Sequence, residues 1–295
     1  MKKKHYTIGV IQLNLNNTPD HNLEKCTDWV RRSAGQGAEV ICLPELYGSH
    51  YFCQSENVAN FELAEPLHGK SFQAFSALAR ELGVVIIVPF FEKRMPGVYH
   101  NSAYIIDSTG EEAGLYRKMH IPDDPAFYEK FYFTPGDRGF QAIDTQKGKI
   151  GTLICWDQWY PEAARLTALQ GAEVLFYPTA IGWHPAEKAE YGEKQHGAWM
   201  NVMKGHAVAN GIFVAAANRI GLEQYVPGTA GIEFWGSSFI CGPQGEVLAQ
   251  ASHDREEIIT ARVDLDLEED VRRNWPFFRD RRIDAYGDIT KRVRD

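Results

Sequence analysis

The chain of 295 residues is 44% hydrophobic, which is enough to bury a sizeable core in one large domain or two small ones. Its formal net charge of −8 argues against nucleic acid or an anionic membrane surface as the main partner. No apolar run approaches the roughly 20 residues of a membrane span, and the basic start leads into an alternating strand pattern, so the sequence predicts neither a membrane anchor nor a signal peptide.

Apolar strand patterns alternate with helical periodicity along the chain, which predicts a layered α/β fold. The predicted elements, in chain order, are a strand at 6–13, a helix at 20–35, a strand at 39–43, a helix at 71–82, strands at 84–91, 101–107 and 112–117, a long loop at 119–136, a strand at 149–154, a helix at 160–170, a strand at 173–177, a helix at 191–210, and strands at 212–217, 235–241 and 258–264.

Two segments of the chain repeat each other. "QGAEVICLP" at 36–44 and "QGAEVLFYP" at 170–178 share a helix end, a glycine turn, a strand and a closing proline, offset by 134 residues. Gly37 and Gly171 suit helix C-caps, and each apolar run suits a strand that is buried on both faces. The repeat therefore predicts two similar α/β halves whose sheets pack together with the helices outside.

No linker divides the chain, so we predict a single domain over 1–295. The stretch at about 267–295 is charged yet carries Trp275, Phe277, Phe278 and Tyr286. An aromatic arm that is too polar for a core packs on its own domain or on a partner subunit. Both options stay open here, and we expect a homo-oligomer, a dimer or larger.

The five cysteines are odd in number and scattered, which indicates no disulfide framework and favours the reducing cytoplasm. Cys155 lies in "GTLICWDQWYPE", where Pro161 and Glu162 suit the first turn of a helix. Cys155 therefore lies in or just before a strand-to-helix connection. Such a turn presents the thiol, lowers its pKa and supplies backbone N–H donors for an oxyanion. The alternative is a small apolar plug at a strand end.

Two more strand ends carry ionisable side chains. "ICLPELYG" places Glu45 just after a predicted strand, and "GLYRKMHIPDD" places Lys118 after another. A partly desolvated Glu45 suits a general base for the thiol, and Lys118 suits a fixed cation for an oxyanion. Considered singly, each is more commonly a surface residue.

These segments together resemble a known family. "LPEL", "YRKMHIP" and "GTLICWDQWYPE" are similar to the three catalytic segments of the nitrilase superfamily of carbon–nitrogen hydrolases, and the similarity extends through "FTPGD", "ANRIG" and "RDRR" over essentially the whole chain. The resemblance implies a four-layer α-β-β-α sandwich, and an amidohydrolase with a Glu45–Lys118–Cys155 triad. It also implies a supporting Glu129, an oxyanion contact from the Trp156 backbone N–H, and no metal or organic cofactor.

The substrate is predicted from the residues around the triad. Family members that hydrolyse N-carbamoyl amino acids place an arginine shortly after the nucleophile, whereas no cation stands in 156–159 here. The loop after Lys118 instead carries Asp123 and Asp124 beside aromatic residues, which suits an alkyl chain that ends in an ammonium group. We predict that Asp123 binds the amine and that Tyr51, His120 and Trp183 line the pocket.

Within the superfamily, "CWDQWYPEAAR", "LFYPTAIG" and "YEKFYFTPGD" resemble the N-carbamoylputrescine amidohydrolase branch. The resemblance implies hydrolysis of this carbamoyl amine to putrescine, ammonia and carbon dioxide in polyamine biosynthesis, through a covalent cysteine thiocarbamoyl intermediate. A β-ureidopropionase or another ω-amidase of the same superfamily is the alternative, and it would require a cationic pocket. A non-catalytic oligomeric scaffold is the alternative from another class.

Overall fold

The computed structural model describes residues 4–294, so residues 1–3 and 295 of the predicted domain lie outside the described part. The helices are α1 (Pro19–Gly35), α2 (Lys70–Leu82), α3 (Glu129–Tyr132), α4 (Pro161–Leu169), α5 (Lys188–Asn210) and α6 (Leu265–Asn274). The strands are β1 (His5–Gln12), β2 (Val40–Cys42), β3 (Val85–Met95), β4 (Val98–Ile106), β5 (Glu112–Arg117), β6 (Ala142–Asp144), β7 (Lys149–Thr152), β8 (Val174–Pro178), β9 (Gly182–Trp183), β10 (Phe213–Ala217), β11 (Ile220–Glu223), β12 (Ile232–Trp235), β13 (Phe239–Cys241), β14 (Val247–Gln250) and β15 (Glu257–Asp264).

Two large sheets form the centre of the molecule. Their strand orders are β15-β1-β2-β3-β4-β5 and β14-β13-β10-β8-β7-β6. In each sheet the three central strands run parallel, β1-β2-β3 in the first and β7-β8-β10 in the second. Parallel strands are buried on both faces, which explains the continuous apolar runs in the sequence.

Side-chain alternation along the strands places the layers. In β3, Val85 and Ile87 belong to the core between the sheets, whereas Ile86 and Val88 pack in a second core with Trp29 of α1 and residues of α2. The second sheet carries α4 and α5 on its outer side, where Trp199 and Ala164 join the main core. The fold is therefore the predicted four-layer α-β-β-α sandwich.

The repeated segments occupy equivalent places in the two halves. Gln36 and Gln170 are the C-caps of α1 and α4, and Gly37 and Gly171 follow with φ of 91° and 89°. This left-handed backbone conformation favours glycine. The next strands, β2 and β8, each lie in the parallel centre of a sheet, so the predicted pair of similar halves is confirmed.

Several predicted boundaries were wrong. The strand predicted at 235–241 is two strands, because Gly236 and Ser237 have φ of 54° and 53° and turn the chain between β12 and β13. β12 belongs to a small third sheet of order β11-β12-β9. The loop predicted at 119–136 contains the short helix α3, and the sequence analysis missed β6, β9, β11 and β14, which are only two to four residues long.

The predicted arm at about 267–295 begins inside α6, which Asp264 caps through its side chain. Beyond α6, the ring of Phe278 packs against the core and lies 5.1 Å from the guanidinium carbons of both Arg165 and Arg272. The arm is thus anchored on its own domain at Phe278, while Trp275 and Ile283 are exposed. Contact with a partner subunit stays a prediction. Among residues 4–294, no helix combines the length and apolar character that crossing a membrane would require.

Candidate active site

The three strand ends singled out in the sequence converge. Glu45 follows β2, Lys118 follows β5 directly, and Cys155 follows β7. Lys118 Nζ donates a hydrogen bond to Glu45 Oε1 at 2.8 Å, and both side chains are fully buried. The charges of Glu45 and Lys118 both act on the pKa of the Cys155 thiol. The structure therefore brings the three side chains of the predicted triad together.

Cys155 is held in an unusual backbone conformation. It opens a 3₁₀ turn, Cys155–Trp159, with φ of 42°, in the left-handed region that non-glycine residues rarely adopt. Just before it, Leu153 N–H donates to Phe176 O at 2.9 Å and Ile154 N–H donates to an oxygen of Asp157 at 3.0 Å. The strand therefore ends before Cys155, and the thiol stands in the strand-to-helix connection.

Glu45 also lies in a turn with a left-handed residue, since the next residue, Leu46, has φ of 49°. Glu45 Oε1 accepts hydrogen bonds from Lys118 Nζ and, at 2.7 Å, from Asn101 Nδ2. Its other oxygen, Oε2, is buried and has no hydrogen-bond partner within residues 4–294. One oxygen is thus fixed, and the other is available to take a proton.

Glu129, the first residue of α3, is a second carboxylate at Lys118. Glu129 Oε2 accepts from Lys118 Nζ at 2.6 Å, and Oε1 accepts from the Tyr51 hydroxyl at 2.7 Å. Burial raises the pKa of Glu129 to about 7 against the opposing charge of Lys118. Burial alone would lower the pKa of Lys118, but the charges of Glu129 and Glu45 outweigh it, and the net direction is upward. Lys118 is therefore a buried ammonium fixed between two carboxyl groups.

The pKa predicted for the thiol was wrong. Burial raises the pKa of Cys155 above its ordinary value, Glu45 raises it further, and Lys118 opposes them without prevailing. The strand-to-helix turn was expected to lower this pKa, but desolvation of the thiolate dominates. At neutral pH the site holds a thiol, which needs a base to become a nucleophile.

A cavity of about 440 Å³ opens onto Cys155. The buried Glu129 and Cys155 and the half-buried Trp156 line it, and its other aromatic lining residues include Phe127, Trp159 and Trp235. Exposed residues along its lining include Asp124, Pro125, Glu187 and Ala198. Among the lining residues that the structure describes there is neither a lysine nor an arginine. The cavity therefore combines an apolar wall with carboxylates.

The predicted pocket residues have to be corrected. Asp123 is exposed and does not line this cavity, whereas its neighbour Asp124 does. Tyr51 is fully buried and contacts Glu129 through its hydroxyl. His120 and Trp183 are also absent from the lining.

Other contacts occupy these two side chains. The ring of His120 stacks on Tyr160 with ring centroids 3.7 Å apart, and the indole N–H of Trp183 donates to Gly192 O at 3.0 Å. The sequence analysis missed Glu187 and Trp235 as lining residues. Glu187 is the N-cap residue of α5 and Trp235 ends β12 of the small third sheet, and neither residue lies within one of the quoted motifs.

A double-sheet sandwich that gathers a thiol, an ammonium and two carboxyl groups at its strand ends, beside one cavity, is the frame of a hydrolase for carbon–nitrogen bonds in linear amides. Comparison with known proteins supports the same class of enzyme. The model of the carbon-nitrogen hydrolase family matches residues 7–273, and the chain belongs to this family, within the nitrilase superfamily.

Similar proteins cover nearly the whole chain. It is 43% identical to an N-carbamoylputrescine amidase of Arabidopsis thaliana, over 97% of this chain and 95% of that protein. It is 40% identical to a citrullinase of Francisella tularensis, over 97% of this chain and 98% of that protein. The crystal structure of a carbon-nitrogen hydrolase from Helicobacter pylori G27 matches with a TM-score of 0.93 and 47% identity, covering 98% of this chain and 100% of that chain.

Proposed function

We propose that the protein hydrolyses N-carbamoylputrescine to putrescine, ammonia and carbon dioxide, a reaction of polyamine biosynthesis. The observation that carries the proposal is the cavity beside Cys155, whose charged lining residues in the described chain are Asp124, Glu129 and Glu187. Glu129 is already paired with Lys118, whereas Asp124 and Glu187, on the exposed part of the lining, suit a substrate that ends in an ammonium group. The apolar wall suits its butyl chain. The similarity to N-carbamoylputrescine amidases of plants supports this choice.

In this proposal the unpaired oxygen of Glu45 takes the thiol proton while the sulfur attacks the carbamoyl carbon. The Lys118 ammonium and the Trp156 backbone N–H stabilise the oxyanion of the tetrahedral intermediate, each donor being worth about 3–4 kcal/mol. Glu45 returns the proton to the departing ammonia, which leaves an aminobutyl-thiocarbamate on the sulfur of Cys155. Glu45 then activates a water molecule, and hydrolysis frees the thiol and a carbamate that breaks down to putrescine and carbon dioxide.

Glu129 keeps Lys118 in place for both steps. Its two oxygens are taken by Lys118 and Tyr51, and because it also lines the cavity, it is close to the substrate amide. The roles of these residues, like the homo-oligomeric state and the cytoplasmic location, stay proposals.

Citrulline is the second candidate substrate, since a citrullinase is among the similar proteins. It carries the same carbamoyl group but adds a carboxylate beside the amine. Trp159 and Trp235 line the cavity, and their buried indole nitrogens have no hydrogen-bond partner in the described chain, which leaves two neutral donors for a carboxylate. Neutral donors compensate the desolvation of a carboxylate less well than a cation does, and we therefore favour N-carbamoylputrescine.

A substrate panel tests the proposal. Ammonia release is measured with N-carbamoylputrescine, citrulline, N-carbamoyl-β-alanine and the uncharged N-butylurea. We expect the highest kcat/KM with N-carbamoylputrescine and a raised KM for N-butylurea, which lacks the ammonium group. A higher kcat/KM with citrulline or with N-carbamoyl-β-alanine would overturn the proposal.

A further inference from the structure

A buried carboxylate that the proposed reaction does not use lies two residues after Cys155. Asp157 is fully buried and accepts hydrogen bonds on both oxygens. Its Oδ1 accepts from the His120 backbone N–H at 2.9 Å and lies 2.7 Å from His120 Nδ1. Its Oδ2 accepts from the Tyr116 hydroxyl at 2.7 Å and from the Ile154 N–H at 3.0 Å.

These contacts connect two parts of the candidate site. Tyr116 and His120 stand two residues before and two residues after Lys118, whereas Ile154 directly precedes Cys155. The Lys118 segment follows β5 of the first sheet, and the Cys155 turn follows β7 of the second. One carboxylate therefore joins the backbone around the ammonium to the backbone around the thiol.

The hydrogen bonds of the Lys118 side chain do not link the Lys118 segment to the Cys155 turn. Its Nζ donates to Glu45 and Glu129, which hold it against two carboxyl groups. The carboxylate of Asp157, in contrast, joins the backbone segment of the ammonium to that of the thiol.

We infer that Asp157 is a positioning residue that sets the place of Lys118 relative to the sulfur of Cys155. The inference rests on the proposed cysteine-dependent hydrolysis. Asp157 does not line the cavity, so it acts through the two segments and touches no substrate.

The surroundings of Asp157 favour a rigid arrangement. Burial and the neighbouring Asp157 charge raise the pKa of Tyr116, so the tyrosine stays a hydrogen-bond donor over the whole working range. The His120 ring is held by its near-parallel stacking on Tyr160, with an angle of 4° between the ring planes. A buried carboxylate with its donors all in place is stable, and removal of one donor or of the charge leaves the others unsatisfied.

Two substitutions test the inference, with kinetics measured on whichever amide the wild-type enzyme hydrolyses fastest. Asp157→Asn keeps the size of the side chain but turns an amide N–H₂ toward N–H or O–H donors. Tyr116→Phe removes a single contact and is the milder variant, which keeps the test valid if Asp157→Asn does not fold. Since a displacement of about 1 Å at a reacting group costs about 100-fold in rate, we expect kcat to fall by about that factor in Asp157→Asn and by less in Tyr116→Phe. KM should be unchanged.

The chain supplies a matched control at the opposite end of β7. The buried Tyr6 donates its hydroxyl to Glu173 Oε2 at 3.1 Å, and the same oxygen accepts from Lys149 N–H at 3.0 Å. Tyr6→Phe and Glu173→Gln should lower the unfolding midpoint as Tyr116→Phe does, yet leave kcat unchanged.

The double variant Tyr116→Phe/Asp157→Asn should lose no more kcat than Asp157→Asn alone, because Tyr116 acts through Asp157. The inference would be overturned by a wild-type kcat in both Asp157→Asn and Tyr116→Phe, or by an equal kcat loss in Tyr6→Phe. Failure of the proposed substrate has a different signature, since another amide would then be the best substrate of the wild-type enzyme.

Discussion

Replacement of Arg219 by lysine should destabilise the protein and slow the reaction together. The fully buried guanidinium makes five hydrogen bonds. Its Nη2 donates to the carbonyl oxygens of Glu45, Leu46 and Ser49, its Nε donates to the carbonyl of Glu45 at 3.2 Å, and its Nη1 donates to Glu223 Oε1 at 3.0 Å. Arg219 therefore holds the turn that carries Glu45.

The magnitude follows from these contacts. Lysine offers three donors at one point, whereas arginine presents its donors on a planar fork. The five hydrogen bonds reach four acceptor atoms, because the carbonyl oxygen of Glu45 accepts two of them. At least one of these acceptors is then left without a donor, at a cost of about 1–3 kcal/mol. The turn is also strained, because Leu46 adopts a left-handed φ at a cost of about 1–2 kcal/mol. Without its anchor the turn relaxes, so Glu45 moves and kcat falls.

The assay is urea unfolding of the Arg219→Lys variant, with kcat measured on the same preparation. Arg31→Lys is the control, because Arg31 pairs with Glu81 at the surface, where the side chains are 48% and 55% exposed. That pair should contribute little to stability, because solvent screens an exposed ion pair. The reasoning would be refuted if Arg219→Lys matched Arg31→Lys in the free energy of unfolding and kept the wild-type kcat.

Three further predictions concern the reacting groups and the substrate amine. Glu45→Gln keeps the shape of the side chain and its contact to Asn101 but removes the proton acceptor. We expect kcat to fall about 10²–10⁴-fold with little change in the unfolding midpoint. An unchanged kcat would contradict the role of Glu45 as the base. Burial raises the pKa of the Cys155 thiol, so the rate at which iodoacetamide alkylates Cys155 should still increase between about pH 7 and about pH 9. A rate that levels off near neutral pH would show that the thiol pKa is not raised. Asp124→Asn should raise the KM for N-carbamoylputrescine several-fold and leave the KM for N-butylurea unchanged, whereas Asp123→Asn should change neither KM. A raised KM in Asp123→Asn instead would show that Asp123 binds the amine, as the sequence predicted.

Much of the architecture was predictable from local patterns. The parallel central strands are continuous apolar runs, and the glycines at 37 and 171 mark the helix ends, so both repeated halves were visible in the sequence. The convergence of Glu45, Lys118 and Cys155 was expected from the resemblance to the nitrilase superfamily, because a position after a strand does not by itself bring residues of two different sheets together.

The cavity wall was not predictable in the same way. Glu187 precedes α5 and Trp235 ends β12 of the small third sheet, and only the tertiary fold brings these two side chains to the same cavity. Asp123 and Asp124 are adjacent and chemically alike, so only the path of the loop decides which of them lines the cavity. The thiol pKa also depends on burial that a turn motif does not report.

The proposed hydrolysis requires Cys155 to act as a covalent nucleophile toward N-carbamoylputrescine. The direct measurement is mass spectrometry of enzyme that is acid-quenched during turnover of substrate labelled with ¹³C in the carbamoyl group. We predict a labelled aminobutyl-carbamoyl group on the peptide that contains Cys155, and its absence in Cys155→Ala. Rapid turnover with no label on that peptide, or label on another cysteine, would contradict the account.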